Sequence, residues 1–439
     1  MSTVSIHFDK TVGPIRPMHA VNNGPYPAGT DQKRGNAPAY AAARIPYART
    51  HDAAFDSRYG GEHTVDVHSI FTNFDADPYD PASYDFPCTD KYMKDIFSVG
   101  TKPFFRLGSK IEHGVKKYGT VPPKDFNKWA VICEHIIRHY TEGWADGFTY
   151  DMEYWEIWNE PDLDPDDSTN KRCWGGTEVE FADLYAIAAK HLKTCFPHLK
   201  IGGPASAGDE AWMERFLARM QERNVPIDFF SWHWYWTEPS DVVAKAIRVR
   251  ALMERFGYGQ AESILNEWNY VRGWVDEFVY SIKQIIGMKG AAFTAAVMSA
   301  CQDCGTVDML MYYDARMTGM NGLFDLYTME PLKGYYPFYL FANLYGLGMQ
   351  AEAASDDADL YVTAATDGNR CAAMITYYAE DDNKGPRHVT LRFDGADLDG
   401  AKIYLVDETN TMNEYFGAQV KNGEVKLFLY RNTIVYVEK

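Results

Sequence analysis

Two glutamates stand at the ends of apolar, aromatic stretches of this chain. The stretch 150–161 contains Glu160, and the stretch 263–269 contains Glu267. The aromatic and β-branched residues before each glutamate favour buried strands. Because Pro161 cannot donate to a sheet ladder, the first strand is predicted to end at Glu160. In a parallel α/β barrel, catalytic residues gather at the carboxyl ends of the strands.

A pair of carboxylates in one pocket suits the retaining hydrolysis of glycosides. One carboxylate attacks the anomeric carbon, and the other protonates the departing oxygen and later activates water, at a carboxyl separation of about 5–5.5 Å. We predict Glu160 as the acid/base and Glu267 as the nucleophile. The two residues are 107 positions apart, which is room for about three βα units of roughly 30 residues or more. A salt bridge at a barrel rim is the alternative for either glutamate alone.

The elements that must position these acids alternate along the chain. The predicted strands are 15–22, 45–51, 102–107, 150–160, 199–204, 227–235, 263–268 and 309–314. The predicted helices between and after them are 92–99, 123–140, 178–195, 211–223, 241–256, 278–301 and 336–347. Eight strands that alternate with helices predict an α/β fold, a (β/α)8 TIM barrel over residues 14–348, with Glu160 on its fourth strand and Glu267 on its seventh.

The pattern of predicted elements changes after Gly348, from alternating strands and helices to strands alone. Short strand-like runs follow at 360–362, 372–378, 388–393, 402–406, 424–429 and 433–437, separated by Gly, Asn and Asp. This spacing predicts a C-terminal β-sandwich accessory domain over 349–439. We expect residues 1–13 to belong to it, with 4–8 adding a strand. The module is expected to brace the barrel.

Composition restricts the partners. The chain has 43 basic and 61 acidic residues and a net charge of −18, which repels nucleic acid and anionic membranes and favours neutral substrates. Aromatic residues make up 15%, and they serve either a packed core or the stacking of sugar rings. The first residues lack the pattern of a signal peptide, no long apolar run is present, and the seven cysteines are odd in number, so we expect a cytoplasmic protein with reduced thiols.

The two motifs also resemble those of a known family. The segments 155–161 (WEIWNEP) and 266–269 (NEWN) are similar to the signature strands of glycoside hydrolase family thirty-nine, which contains β-xylosidases and α-L-iduronidases. The resemblance covers about residues 14–348. It implies a retaining glycosidase whose (β/α)8 barrel is braced by a β-sandwich, without a cofactor.

The resemblance implies further roles. Asn159 would donate to the hydroxyl beside the anomeric carbon, Arg49 would support the nucleophile, and Tyr235 would bond to its carboxylate. The substrate-binding residues implied are His51, Phe105, Asn159, His233, Tyr235 and Tyr313. For both histidines a satisfied place in the core is the alternative, and for Arg49 it is a structural ion pair.

Two positions depart from the family pattern. Tyr313 stands where the family usually carries Trp, and Asp52 follows the Arg-x-His motif where the family often has Gly. Both lie where the terminal sugar is expected, so they bear on the identity of that sugar and leave the two acids untouched.

The leading hypothesis is a retaining exo-glycosidase acting on β-xyloside or arabinoside-like ends of short plant-type oligosaccharides. An endo-acting glycanase and a barrel that binds sugar without cleaving it are the alternatives. No metal is predicted: the acidic loop 162–167 resembles a calcium loop only loosely, because it lacks the central Gly and Cys173 stands at the position of the bidentate Glu. A homo-oligomer is left open.

Overall fold

The structure, a computed structural model, describes residues 2–26, 35–52 and 64–439. After β1 (Ser2–Pro14), eight parallel strands close into a barrel in chain order. They are β2 (Ala20–Asn22), β3 (Tyr47–Arg49), β4 (Lys102–Leu107), β5 (Tyr154–Ile157), β6 (Lys200–Ser206), β7 (Phe229–His233), β8 (Glu262–Trp268) and β9 (Met309–Tyr312). The predicted (β/α)8 barrel is confirmed, with β5 as its fourth strand and β8 as its seventh.

Helices surround the barrel and cover its outer face. Within the described residues they are α1 (Ala37–Ala42), α2 (Val67–Ile70), α3 (Pro87–Ser98), α4 (Phe126–Thr141), α5 (Glu178–Cys195), α6 (Glu210–Glu222), α7 (Pro239–Arg255), α8 (Phe278–Ile285), α9 (Met288–Cys304) and α10 (Tyr335–Leu347). The local sequence explains where α5 begins, because Thr177 and Glu180 form a reciprocal capping box at its first turn.

The prediction of a single helix over residues 278–301 is wrong. This segment forms two helices, α8 and α9, which meet at an angle of 79°. Gly287 at the junction is extended, and a Cβ on Gly290 would lie 2.6 Å from the carbonyl oxygen of Gln284. The first turn of α9 therefore packs so closely on the end of α8 that only glycine fits there. Within the described residues no single helix is long and apolar enough to cross a membrane, although α8 and α9 together satisfy that test as a bent pair.

The barrel has an inner and an outer apolar layer. Its interior is a small cluster of strand side chains: Ala20, Phe104, Tyr154, Phe229, Ile264, Met309 and Met311. A much larger cluster lies between the outer face of the strands and the helices. Successive residues of a strand alternate between the two layers.

The remaining strands form a second sheet of nine strands. Besides β1, they are β10 (Met349–Ser355), β11 (Leu360–Thr366), β12 (Cys371–Tyr377), β13 (Arg387–Asp394), β14 (Lys402–Val406), β15 (Thr411–Glu414), β16 (Glu424–Leu429) and β17 (Thr433–Glu438). The sheet order is β15-β14-β17-β12-β11-β10-β1-β13-β16. The sequence prediction missed β10 and β15.

This sheet curls over a core of its own. Leu427 near one edge and Ile403 near the other belong to one hydrophobic cluster, as in a sandwich. The predicted accessory fold is thereby confirmed. The segment 4–8 lies within β1, which pairs antiparallel with β10 and parallel with β13. The exact division into 14–348 and 349–439 with 1–13 stays a prediction.

Candidate active site

The sequence pattern predicted Glu160 at the last position of its strand. In the structure it lies just beyond the end of the strand. The strand β5 ends at Ile157, and the backbone then turns, with φ of 74° at Trp158 and 46° at Glu160. The chain remains tied to both neighbouring strands, because the Trp158 amide donates to Leu107 and the Glu160 amide to Ala205, each at 2.8 Å. Left-handed backbone at residues other than glycine is strained and clusters at functional sites.

Glu267 lies within β8, and both of its carboxylate oxygens are occupied. The Arg49 guanidinium donates to Oε1 at 2.7 Å, and the Tyr235 hydroxyl donates to Oε2 at 2.8 Å. His51 Nε2 lies 3.4 Å from Oε1. The side chain is almost completely buried. These contacts fix the carboxylate in one orientation, as an attacking nucleophile requires.

His233 joins the two acids. Its Nδ1 is 2.8 Å from Glu160 Oε1 and 3.5 Å from Glu267 Oε2. One oxygen of each carboxylate and this nitrogen all lie within 4.8 Å of one another. Both predicted catalytic acids therefore share one pocket, and an oxygen of each lies within 4.8 Å of an oxygen of the other.

Burial shifts the pKa values of Glu160 and His233. Burial raises the pKa of Glu160, against the opposing charges of His51 and Arg49. Burial also lowers the pKa of His233 to about 4, so the imidazole is neutral near pH 7. A carboxyl whose pKa is raised keeps its proton to a higher pH, which is the property of a general acid.

A buried network of ion pairs and hydrogen bonds around Arg49 and Glu156 supports the two acids. The Arg49 guanidinium donates to Glu156 at 2.6 Å through Nε and to Asn159 at 2.7 Å through Nη2. Glu156 also accepts from Ser231 at 2.6 Å and from Asn266 at 2.5 Å. Sequence reasoning missed Glu156, although its place two residues after the inward-facing Tyr154 indicates the barrel interior, where a carboxylate needs a cationic partner.

Replacing Arg49 by alanine is expected to lower the free energy of unfolding by about 3–5 kcal/mol, because it leaves the carboxylate of Glu156 buried without its cation. Both side chains are fully buried. Denaturant unfolding measures the change. The matched control is Arg392→Ala, which breaks a half-exposed pair with Glu424 and is expected to cost less than about 1 kcal/mol. Equal effects of the two variants would contradict this account.

The side-chain amide nitrogen of Asn159 is available to donate a hydrogen bond to a ligand. Its Oδ1 accepts from Arg49, which orients the amide, while its Nδ2 is buried and makes no hydrogen bond within the part of the chain that the structure describes. A buried donor without a partner is costly unless something binds there. The amide is thus placed to donate to a substrate hydroxyl.

Phe105 does not line the pocket, and the prediction of a wall there is wrong. The neighbouring residue Phe104 is in the inner cluster, so Phe105 points outward from β4. Its ring packs against Tyr140 of α4 and Trp155 of β5. It is a residue of the outer core.

The remaining predicted residues lie at one side of the pocket. The ring of Tyr313 meets His51 edge-on with centroids 5.3 Å apart. His51 Nδ1 is 2.9 Å from Asp52, and Asp52 lies 3.3 Å from Arg316. Burial would raise the pKa of Asp52, but contact with His51 and Arg316 holds it below its usual range. A cavity of about 520 Å³ opens here, lined by His51, Asp52, Lys110, Tyr313 and Arg316 among others.

The acidic loop after Glu160 is used for internal bonds. Asp162 accepts from the Ser206 hydroxyl at 2.6 Å, whereas Asp164 pairs with Arg172 at 2.7 Å. The two carboxylates therefore bind different partners within the chain. The loop is held as a rigid continuation of the strand that carries the acid.

Two groups within the described residues have donor atoms close enough for a metal ion. One is Glu160, His233 and Glu267, the pocket already described. The other is Glu134, His191 and Cys195 on the outer helices α4 and α5, where Arg138 pairs with Glu134 at 2.8 Å. The carboxylate of the second group is therefore already paired with a cation.

Comparison with known proteins decides the family. The sequence matches the family described as Glycosyl hydrolases family 39 over residues 3–407. The chain belongs to this family. The resemblance inferred from the two glutamate motifs is confirmed.

Two curated relatives and one solved structure are also similar to this chain. A β-xylosidase of Geobacillus stearothermophilus is 27% identical over 216 residues, 42% of this chain and 41% of that protein. A β-xylosidase of Caldicellulosiruptor saccharolyticus is 31% identical over 164 residues, 36% of this chain and 32% of that protein. The matched regions thus span less than half of each relative. The structure of a glucosidase from Croceicoccus marinus shares the fold, with a TM-score of 0.80 and 22% identity over 100% of this chain and 98% of that one.

Proposed function

We propose that this protein is a retaining exo-glycoside hydrolase that removes terminal β-xyloside or arabinoside-like sugars from short plant-type oligosaccharides. The observation that carries the proposal is the shared pocket, in which an oxygen of Glu160 and an oxygen of Glu267 lie within 4.8 Å of each other and of His233. Membership of the family supports it independently. A cytoplasmic location and a homo-oligomer stay predictions.

In the first step, the carboxylate of Glu267 attacks the anomeric carbon as the bond to the leaving oxygen breaks. Glu160 gives its proton to that oxygen, and a covalent glycosyl–enzyme ester forms. The raised pKa of Glu160 keeps the proton available. Arg49 and Tyr235 hold the nucleophile in line, since each donates to one of its oxygens.

In the second step, the Glu160 carboxylate takes a proton from water, and the resulting nucleophile opens the ester. The sugar leaves with its original anomeric configuration, and Glu267 becomes a carboxylate again. Arg49 and Tyr235 stabilise the returning negative charge. Neutral His233 remains between the acids and adds no charge of its own.

The substrate proposal rests on the names of the relatives and on the amide nitrogen of Asn159, which makes no hydrogen bond within the described residues. Both curated relatives are β-xylosidases by name, and the free Nδ2 of Asn159 suits the hydroxyl next to the anomeric carbon. An endo-acting glycanase is the second candidate. It is favoured by two exposed rings near the pocket: Trp274, edge-on to Tyr235, and Trp236, stacked on Trp234.

A panel of nitrophenyl glycosides tests the proposal. We expect the β-xyloside or the α-arabinoside to be hydrolysed fastest, and NMR of the first product to show the anomer of the substrate. Xylohexaose should then yield monosaccharide from one end. Oligosaccharides as the first products would select the endo-acting alternative, and an inverted first product would overturn the retaining mechanism. Binding without hydrolysis of any glycoside would favour a non-catalytic barrel.

A further inference from the structure

A buried thiol contacts the acid of the candidate active site. Cys173 Sγ lies 3.7 Å from Glu160 Oε2, while His233 holds the other oxygen of the same carboxyl. The cysteine is buried, whereas the side chain of Glu160 retains some exposure. The thiol therefore approaches the acid from the protein side.

The backbone around this thiol is fixed by three separate contacts. The Trp158 indole donates to the carbonyl of Cys173 at 2.9 Å. The Arg172 amide donates to Asp164 at 2.7 Å, and the Arg172 carbonyl accepts from the amide of Glu112 at 2.8 Å. These contacts fix the position of the backbone that carries the thiol.

We propose that Cys173 is a positioning residue for Glu160: its thiol donates to Oε2 and, together with His233, holds the carboxyl in the orientation from which the proton reaches the leaving oxygen. The inference rests on the proposed function of Glu160 as acid/base.

The chemistry of a thiol suits this place. Burial, reinforced by the charge of Glu160, raises the pKa of Cys173, so the group keeps its proton and remains a donor. The S–H group is a weak donor. It orients the carboxyl and favours the carboxylate only slightly, which matters because Glu160 must both release and regain a proton in each turnover. A strong donor here would oppose the protonated form.

Kinetics on two leaving groups test the proposal. Cys173→Ala is expected to lower kcat/KM for xylobiose about tenfold, equivalent to about 1.4 kcal/mol, and to move the alkaline limb of its pH profile upward. The value for 2,4-dinitrophenyl β-xyloside, which needs no protonation, should change less than about twofold. Cys173→Ser should recover part of the loss, since it restores a donor.

Cys133→Ala is the matched control, because Cys133 is an equally buried thiol in α4, on a different element from the acid. Identical pH profiles and leaving-group dependence for Cys133→Ala and Cys173→Ala would overturn the proposal.

A titration of the Glu160 carboxyl tests the inference even if the protein hydrolyses no glycoside. In that case the proposed function fails, but the contact between Cys173 and Glu160 can still be tested. In ¹³C-glutamate protein, the signal absent from Glu160→Gln should titrate at higher pH in Cys173→Ala, and an unchanged titration would refute the contact's role.

Discussion

Replacing Glu267 by glycine is expected to lower kcat/KM at least about 10⁴-fold for every glycoside, activated or not, because the variant has no group to attack the anomeric carbon. Arg49 and Tyr235 each donate to one oxygen of this carboxylate and so orient it. Steady-state kinetics on an activated aryl xyloside measure the loss.

Azide identifies the face from which Glu267 acts. In the glycine variant, azide can enter the vacated space and attack the anomeric carbon directly, so the glycosyl azide should have the inverted configuration, and no product with the original configuration should be restored. NMR of the product decides this. Retention in the presence of azide would remove Glu267 from the role of nucleophile.

A variant on the same strand provides the control. Glu262 lies at the opposite end of β8, where it pairs with Lys200 at 2.7 Å. Glu262→Gln should keep activity within about twofold, since that end of the barrel contacts no substrate. Thermal unfolding of Glu267→Gly should remain cooperative, because Arg49 still pairs with Glu156. A loss of fold would explain inactivity without the proposed role.

Regular periodicity made the barrel predictable. The predicted bounds of β4 and α5 coincide with those observed, because each stretch carries an uninterrupted pattern and a clear start or stop signal. The placement of Glu160 at the end of the fourth strand's segment, and of Glu267 on the seventh strand, followed from the order of the elements, although Glu160 lies just beyond the strand itself. Local pattern and topology were sufficient for these features.

The contacts between strands were not predictable in the same way. Glu156 bonds to Arg49 and Asn266, which are about a hundred residues away in either direction, and such pairing depends on register, which shifts near the ends of β6, β7 and β8. Phe105 was assigned to the pocket from the family resemblance, whereas in β4 it is the preceding Phe104 that faces the barrel interior. The turn at Glu160 is a local departure from regular strand geometry that carries no simple sequence signal.

Replacing Glu160 by alanine is expected to separate substrates by their leaving groups. For xylobiose, whose leaving oxygen needs a proton, kcat/KM should fall about 10³-fold, within the range of 10²–10⁴ for general acid catalysis. For 2,4-dinitrophenyl β-xyloside, the first step should be nearly unchanged and the second step slow, so the covalent intermediate should accumulate and give a burst of dinitrophenol. Stopped-flow absorbance measures the burst.

The pH profile of the same variant follows from the sign of the shift. Burial raises the pKa of Glu160, and the first step needs its protonated form, so kcat/KM of the wild type for xylobiose should fall as pH rises through that pKa. In Glu160→Ala this alkaline limb should disappear. Glu153→Ala, which alters a glutamate just before β5 that pairs with Lys200, should keep the limb in place.

Azide should act on Glu160→Ala in the opposite sense to Glu267→Gly. Here Glu267 still forms the glycosyl–enzyme, and azide attacks that intermediate without general-base help, so turnover of the activated xyloside should recover and the glycosyl azide should keep the original configuration. The two variants together therefore assign each acid to one face of the sugar. Equal loss on both classes of leaving group, with no rescue, would show that Glu160 does more than transfer protons.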